Sequence, residues 1–477
     1  MFTNLGFDAM CKAQGFGYTG DDVVENLKKA LATTTSGAGG IGSGPLMLQN
    51  LDGTMSEVLA TQKHLKLFNY LAKVPSAQPY YEYNKHKGFG SRRGAIGFNQ
   101  GGTPTGGTSA FERLGIYNKF LGVKRGVTHQ LNVTNQMGGS FEDPNLRENK
   151  DGTLELLVRL ERELLFGMKS ITDESGNEVH FDGLLTDMAT NYSANVIDLE
   201  GQPFTFEHLD DSAENLVTNG KLITVDGMTN FMSPHVRAGI NKQYQDRNVV
   251  RHNKDGGRDA QYQPGFRVPS YESEFGDFAF DHSILFEEVE GNSPVAAAEA
   301  SAPAAPATVT LAAATDATSK MVAGTYYYSV AAFNDKGEGL PKVSAGQAVT
   351  TGQKCTATIA RVTGATGYRV YRGTQSDGSD AEWIGRIPQP ASGDATFVDQ
   401  NLWRTVDANG KKSNGLAVMI DQDPADICFA QMTPLIKFPQ PIEGTTIPFL
   451  LLLYGVLVPK NKERIRIYKN AGVYTPA

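Results

Sequence analysis

Residues 292–306 divide this chain into two kinds of sequence. The stretch is almost wholly alanine, proline and serine, a composition that makes an extended spacer and buries too little apolar surface to form a core. Before it, helical and strand periods are mixed. After it, residues 325–334, 357–362 and 367–372 alternate apolar with polar, separated by turn signals such as the Asn-Asp-Lys-Gly at 334–337. Short strands at even spacing without helical periods predict an all-β sandwich of about a hundred residues, closing between 397 and 410. Strand-rich sequence then runs to the end. At 477 residues the chain exceeds one ordinary core, and its length fits roughly three domains or one large domain with an insertion.

Upstream of the spacer, residues 21–32 place Val23, Val24, Leu27 and Leu31 on one helical face with Asp21 and Asp22 at the N-terminal end. Threonine, serine, glycine and alanine follow at 33–44, so the first 50 residues read as an arm that takes its order from neighbours. A helix is expected at 62–71 and an aromatic strand at 80–83. Between 84 and 126 glycines recur among Lys85, Lys87, Arg92, Arg93, Phe98, Phe111 and Phe120, which predicts a long protruding hairpin with a strand at 115–124. The clearest helix is at 153–169, where Leu154, Leu157, Val158, Leu160, Leu164, Leu165 and Met168 form a stripe, Glu155 pairs with Arg159, and Asp151 or Thr153 caps the start. Further helices are expected at 206–219, after Thr205 and closing at Gly220, and at 233–245 with Pro234 in the first turn. Strands are expected at 266–270 and 278–286. The apolar run at 447–457 is about half the roughly 20 residues that span a bilayer and contains Pro448, so it reads as a buried strand.

Few residues suggest chemistry. The net charge of −8 and pI of about 5.6 exclude a global basic field for nucleic acid or anionic lipid. Cys11, Cys355 and Cys428 form no C-x-x-C pair, which excludes a disulfide framework and a cysteine zinc site and fits a reducing compartment. The first residues lack a charged segment followed by an apolar one, so no secretory signal is expected. A G-x-G-x-x-G match at 37–42 lacks the preceding strand and following helix of a dinucleotide site. Asp421, Asp423 and Asp426 resemble a calcium loop, but Asp426 stands where glycine is needed and Met432 where glutamate is needed, so they read as a turn. The eight histidines show no metal-ligand spacing. No nucleophile elbow occurs, and nothing fixes Glu272 and Glu274 as a glycosidase pair. Lys85, Lys87, Arg92 and Arg93 with Phe89 form the one dense basic cluster. It fits nucleic-acid binding, a solvated tip, or docking on an acidic neighbouring subunit, and the negative net charge favours the last.

The order of these elements resembles the major capsid proteins of tailed phages, the Hong Kong 97 fold, over 50–290 and 412–472. The carrying segments are the arm, the glycine-rich loop, the helix at 153–169, the Phe204 to Gly220 segment, Met232-Ser-Pro-His-Val-Arg-Ala-Gly-Ile, Phe275-Gly-Asp-Phe, and the ending Leu453-Tyr-Gly-Val-Leu-Val-Pro-Lys-Asn-Lys-Glu-Arg-Ile-Arg-Ile-Tyr-Lys-Asn. The residues at 324–339 and 364–373 resemble fibronectin type III or immunoglobulin-like modules in permuted order. The resemblance implies an α+β capsid fold with an inserted sandwich. Its parts would be an arm (1–55), the start of a peripheral domain (56–83), an extended loop (84–126), a spine helix and peripheral domain (127–203), an axial domain (204–291), the insert (292–411) and returning strands (412–477). It further implies a non-enzymatic subunit that builds an icosahedral shell from hexamers and pentamers in the host cytoplasm. Portal and scaffold proteins and packaged double-stranded DNA on the inner face would be partners, with no cofactor, metal or membrane. Intersubunit contact would fall to Lys85, Lys87, Arg92, Arg93 and Phe98. The spine would be carried by Leu154, Leu157, Val158, Leu164 and Leu165. Tyr326, Tyr327 and Tyr328 must divide between two faces of a strand, so they either display a ring to host glycans or pack the sandwich. The competing classes are a carbohydrate-binding adhesin or enzyme, and a tail or decoration protein with the same module.

Overall fold

The computed structural model describes residues 64–90, 96–104, 106–133, 144–173, 175–247, 268–287, 292–405, 411–442 and 444–475. The arm with its helix at 21–32, the glycine motif at 37–42, Cys11, Arg92 and Arg93 lie outside them. The chain divides into two compact units, residues 1–59 with 128–147, and residues 60–127 with 148–477. In the first, the described residues are 128–133 and 144–147, which include a short helix at His129–Val133.

The helix expected at 62–71 is a single turn, α1 (Leu67–Tyr70), since the backbone turns extended at Leu71 and enters β1 (Lys73–Pro75). A helix start leaves its first N–H groups without partners, and here Glu161 supplies the acceptors. Its Oε1 accepts from Lys66 and Leu67 (3.1 and 2.6 Å) and its Oε2 from Phe68 (2.8 Å). Glu161 is fully buried on α2 (Pro144–Phe166). Burial pushes its carboxyl pKa up, and the three N–H donors partly offset that push.

Helix α2 begins well before residue 153, so neither Asp151 nor Thr153 caps it; the Thr153 hydroxyl donates to the Asn149 carbonyl one turn back (2.8 Å). Residues 144–152 are polar and carry no apolar period to mark them, while Pro144 suits a first turn. The helix stops at Phe166 rather than Lys169. There Gly167 lies against Gly183, whose N–H donates to the Gly167 carbonyl (2.9 Å), and a Cβ on Gly167 would sit 2.5 Å from the Glu163 and Phe181 carbonyl oxygens. The buried stripe is Leu156, Leu160 and Leu164, joined by Leu165 and Phe166. Leu154, Leu157 and Val158 are only half-buried. Each fully buried leucine contributes about 1.5–3 kcal/mol.

This stripe packs on a four-stranded sheet in the order β1, β19 (Ile427–Pro439), β20 (Thr446–Pro459), β4 (Lys119–Thr128), with Phe449, Leu451 and Leu453 in the same core. The loop expected at 84–126 is a hairpin of β2 (Tyr80–Gly88) and β3 (Ala110–Tyr117), paired from Tyr80↔Tyr117 outward. The strand expected at 115–124 is broken at Asn118. That side chain is buried and its Nδ2 donates to Ser76 Oγ (2.9 Å) and the Gln78 carbonyl (2.8 Å), so β3 and β4 enter different sheets.

A six-stranded mixed sheet runs β5 (Val196–Asp198), β21 (Arg466–Ala471), β18 (Gly415–Ile420), β6 (Met228–Met232), β8 (Gly276–His282), β7 (Ser270–Ser273). Phe231, Leu416, Val418, Ile420 and Ile467 face the core of α2. The alternate residues Met228, Met232, Ala417, Met419 and Tyr468 face a second core, closed by Leu209, Ala213 and Leu216 and by Val236 and Ile240. These come from α4 (Phe206–Thr218) and α5 (Pro234–Arg247), which fall where Thr205 and Pro234 predict them; α3 is Leu184–Asn191. The strands expected at 266–270 and 278–286 are displaced to β7 and β8: residues 266 and 267 lie outside the described residues, and Phe286 belongs to a 3₁₀ turn.

The third core lies between two all-β sheets. One contains β10 (Gly324–Asn334), β15 (Gly367–Gly373) and β16 (Glu382–Pro388), with the short strands β11 (Gly337–Glu338), β12 (Lys342–Val343) and β13 (Gln347–Val349) pairing on β10. The other orders β17 (Ala395–Asp399), β14 (Gln353–Ile359) and β9 (Val309–Thr315). Val330, Ala332, Tyr368, Val370, Cys355 and Ile359 fill the space between.

Replacing Glu161 with Gln leaves the Phe68 N–H facing an amide NH2, which costs about 1–3 kcal/mol. Glu161→Leu strands all three N–H groups and costs more. Urea unfolding checks the ranking; a leucine variant as stable as the parent would show that this carboxylate does not hold the turn.

Candidate functional site

The β2–β3 hairpin has two unlike faces. Tyr81, Tyr83 and Ile116 pack on the core of α2. On the other face the register sets Tyr80 beside Tyr117 and His86 beside Phe111, with ring centroids 4.6 and 4.7 Å apart. Phe111 is 72% and Tyr117 65% exposed. Nearby on the four-stranded sheet, Phe120 meets Tyr454 edge to face (4.8 Å) while 64% exposed, and Ile436 and Phe438 are also uncovered. Large apolar side chains left exposed on a well-packed chain are candidates for contact with a partner.

Two of the four residues of the basic cluster lie among the described residues, and both have partners within the chain. Lys85 pairs with Glu463 (2.9 Å) and Lys87 with Glu112 (2.7 Å) inside the chain, so both already have carboxylate partners without a neighbouring subunit. Burial would raise the Glu463 pKa, but its hydrogen bond with Lys85 holds it below the ordinary carboxylate value. Phe98 is 60% exposed near the hairpin tip. On α2, Leu164 and Leu165 lie in the core, Arg159 pairs with Glu155 (2.7 Å) as the spacing predicts, and Arg125 reaches from β4 to Glu148 (3.4 Å) and Glu155.

The three tyrosines divide as a strand requires. Tyr328 is fully buried and its hydroxyl donates to Asp399 Oδ2 (2.7 Å), where Arg372 Nη1 also donates (2.7 Å). It cannot be a recognition residue. Tyr326 is half-buried on the same side with Arg372 over its ring (5.6 Å), and Tyr327 points to the other side against Gly346.

The acidic triplet makes a turn. Asp423 Oδ1 accepts from Ala425 N–H (2.8 Å), and the buried Asp426 carboxylate accepts from Asn461 Nδ2 (2.6 Å) and from Arg464 Nη1 (3.0 Å to each oxygen). Among the described residues no group of His, Cys, Asp and Glu could hold a metal, and no helix is long and apolar enough to cross a membrane. Cys355 and Cys428 are buried, which pushes both thiol pKa values up, that of Cys355 to about 11. Sequence reasoning missed Glu161, and also a cluster of Phe166, Trp383 and Trp403 at the end of α2; a two-tryptophan chain offers a hint of such an anchor, but no spacing reveals it.

The described residues thus combine a long helix on a mixed sheet, a second helical core beyond it and a hairpin with an uncovered aromatic face. Residues 127–299, about a third of the chain, match the family model described as SU10 major capsid protein. Over this stretch the match agrees with the Hong Kong 97 resemblance of the sequence. Solved structures similar to the chain include the capsid of a native GTA particle (9% identity, TM-score 0.46, covering 91% of this chain and 100% of that one). The capsid of Myoviridae phage XM1 is similar at 9% identity and TM-score 0.42, covering 90% and 100%. So is the SrpI encapsulin complex of Synechococcus elongatus PCC 7942, at 10% identity and TM-score 0.38, covering 89% and 94%. At these scores the likenesses add no argument about function. No curated protein matches.

His208 closes the start of α4, its Nδ1 accepting the Thr205 N–H (3.1 Å), and burial pushes its pKa below the ordinary 6.5. A depressed folded pKa means stability present above about pH 6.5 and lost as pH falls through the folded value. Thermal unfolding between about pH 7 and pH 5 is expected to show a falling Tm, with a shallower fall in His208→Gln; identical slopes would remove His208 from the effect.

Proposed function

We propose that the whole chain is the major capsid protein of a tailed phage, a structural rather than enzymatic subunit that assembles with copies of itself into the icosahedral shell of the virion. The family match over 127–299 carries this reading, because it spans α2 to α5 and the strands β5 to β8, which supply much of the two cores that the hairpin and the returning strands pack against. The cores of α2 and of α4 with α5 are the peripheral and axial domains, and the sandwich with its flanks (292–411) is an insert between them and the returning strands 412–477.

Heterologous contacts repeated around rotation axes close such shells, and many modest contacts add up. The exposed aromatic face of the hairpin, with Phe98, Arg92 and Arg93, supplies one side of the contact. Phe120, Ile436 and Phe438 of a neighbour supply the other. Lys85 and Lys87 anchor the hairpin to its own subunit. Portal and scaffold proteins and packaged DNA are the further partners this role requires, and host glycans remain a proposed partner of the insert.

Negative-stain microscopy with sedimentation on the purified chain, alone and with its scaffold, is expected to give hexameric or pentameric rings or closed shells. A monodisperse monomer under both conditions at every salt and concentration counts against the reading. Removing residues 89–109 is expected to leave a folded, soluble subunit that forms no stable shells; normal shells would take the hairpin out of assembly.

A further inference from the structure

The sandwich is held to the rest of the second unit at two separate places. At the first, the outward residues Ala331, Tyr371, Ala381 and Trp383 join the core of α2. Trp383 and Trp403 both meet Phe166 edge to face (5.2 and 5.7 Å) and each other (5.6 Å). Beside them Arg386 Nη1 pairs with Glu163 (3.1 Å), and the same guanidinium donates to the Phe166 carbonyl, one of the orphan acceptors at the end of α2.

At the second place the partners belong to the six-stranded sheet. Lys320 pairs with Glu200 (2.5 Å) and Asp198 (3.6 Å), at and just after the end of β5. The Leu402 carbonyl accepts from Lys469 Nζ (2.9 Å) and Asn470 Nδ2 (3.1 Å), and the Arg404 N–H donates to Asn470 Oδ1 (2.8 Å). The spacer does not swing free. The Asn292 carbonyl accepts from Trp383 N–H (2.8 Å), and Glu299 Oε2 from Glu338 N–H (3.2 Å), so the spacer is laid along the sandwich it was expected to tether.

One anchor grips the end of α2 and the other grips the edge of the sheet that carries α4 and α5. The buried residues of the sandwich core lie on the opposite face of β10 and β15, and of the anchor rings Trp403 alone packs against both cores. We infer that the sandwich is an intramolecular brace: by holding both places at once it fixes the direction of the end of α2 relative to the six-stranded sheet. Large buried aromatic rings supply most of the grip, and the partly exposed ion pairs set its register. If the chain builds a shell, the brace sets the curvature each subunit brings to it, but the inference concerns the subunit alone.

Hydrogen exchange on the unassembled full-length chain tests it, and this readout is independent of whether shells form. Trp383→Ala with Arg386→Ala is expected to raise exchange about tenfold or more at 160–166 and, because the brace is then held at one end only, also at 196–201. Strands β10 and β15 should keep their protection. Faster exchange at 160–166 with 196–201 unchanged would mean two independent contacts and overturn the brace. If the sandwich itself loosens, Arg386→Glu against the double swap Arg386→Glu with Glu163→Arg decides. Restored protection at both places supports the brace, and no restoration overturns it.

Discussion

The carboxylate of Glu161 is the fixed point of the second unit. Three consecutive backbone N–H groups converge on it in a fully buried place, and an uncompensated buried charge is among the costliest defects a fold can carry. Its partners therefore cannot move far from α2. That fixes α1, and through α1 the strand β1, which lies parallel to β19 in register Lys73↔Phe429. The Glu161 contact thus adds to the backbone bonds of Phe429 N–H to the Ala72 carbonyl (2.9 Å) and Ser76 N–H to the Gln431 carbonyl (3.0 Å) in placing the first strand of the four-stranded sheet.

The six-stranded sheet then serves both cores. Its strands β6, β18 and β21 are buried on both faces, with odd and even residues assigned to different neighbours. A strand shifted by one residue would exchange the two sets, so the pairing of β18 with β6 and β21 is strongly specified. This explains why its strands read as apolar runs such as Leu416 to Ile420 with no alternation.

What could be read in the sequence was what local periodicity encodes. Thr205 and Gly220 bracket α4, Pro234 opens α5, Pro448 does not stop β20, and the tyrosine-rich alternation of β10 declares a strand. What could not be read depends on partners far along the chain. Glu161 looks like a solvent-facing helix residue until residues 66–68 arrive above it. Lys85 looks like a free cation because Glu463 is 378 residues away. Alternation runs unbroken through Asn118, so nothing local announces that β3 and β4 part there. The polar start of α2 lacks the apolar period that would have dated it correctly, and the same focus on period placed Leu154 and Val158 in a stripe that Leu156 in fact occupies.

The corner at Asn118 makes the hairpin a lever with a single pivot. Beyond that residue β3 pairs only with β2, while β4 is committed to the four-stranded sheet, so the angle at which the aromatic face is offered depends on the amide held by Ser76 and Gln78, on the packing of Tyr81, Tyr83 and Ile116 against the core, and on the ion pair at Glu463. The ion pair is partly exposed and weakens in salt, whereas the amide does not. The reach of the lever is thus built into packing, and its stiffness is left to the ionic strength around it.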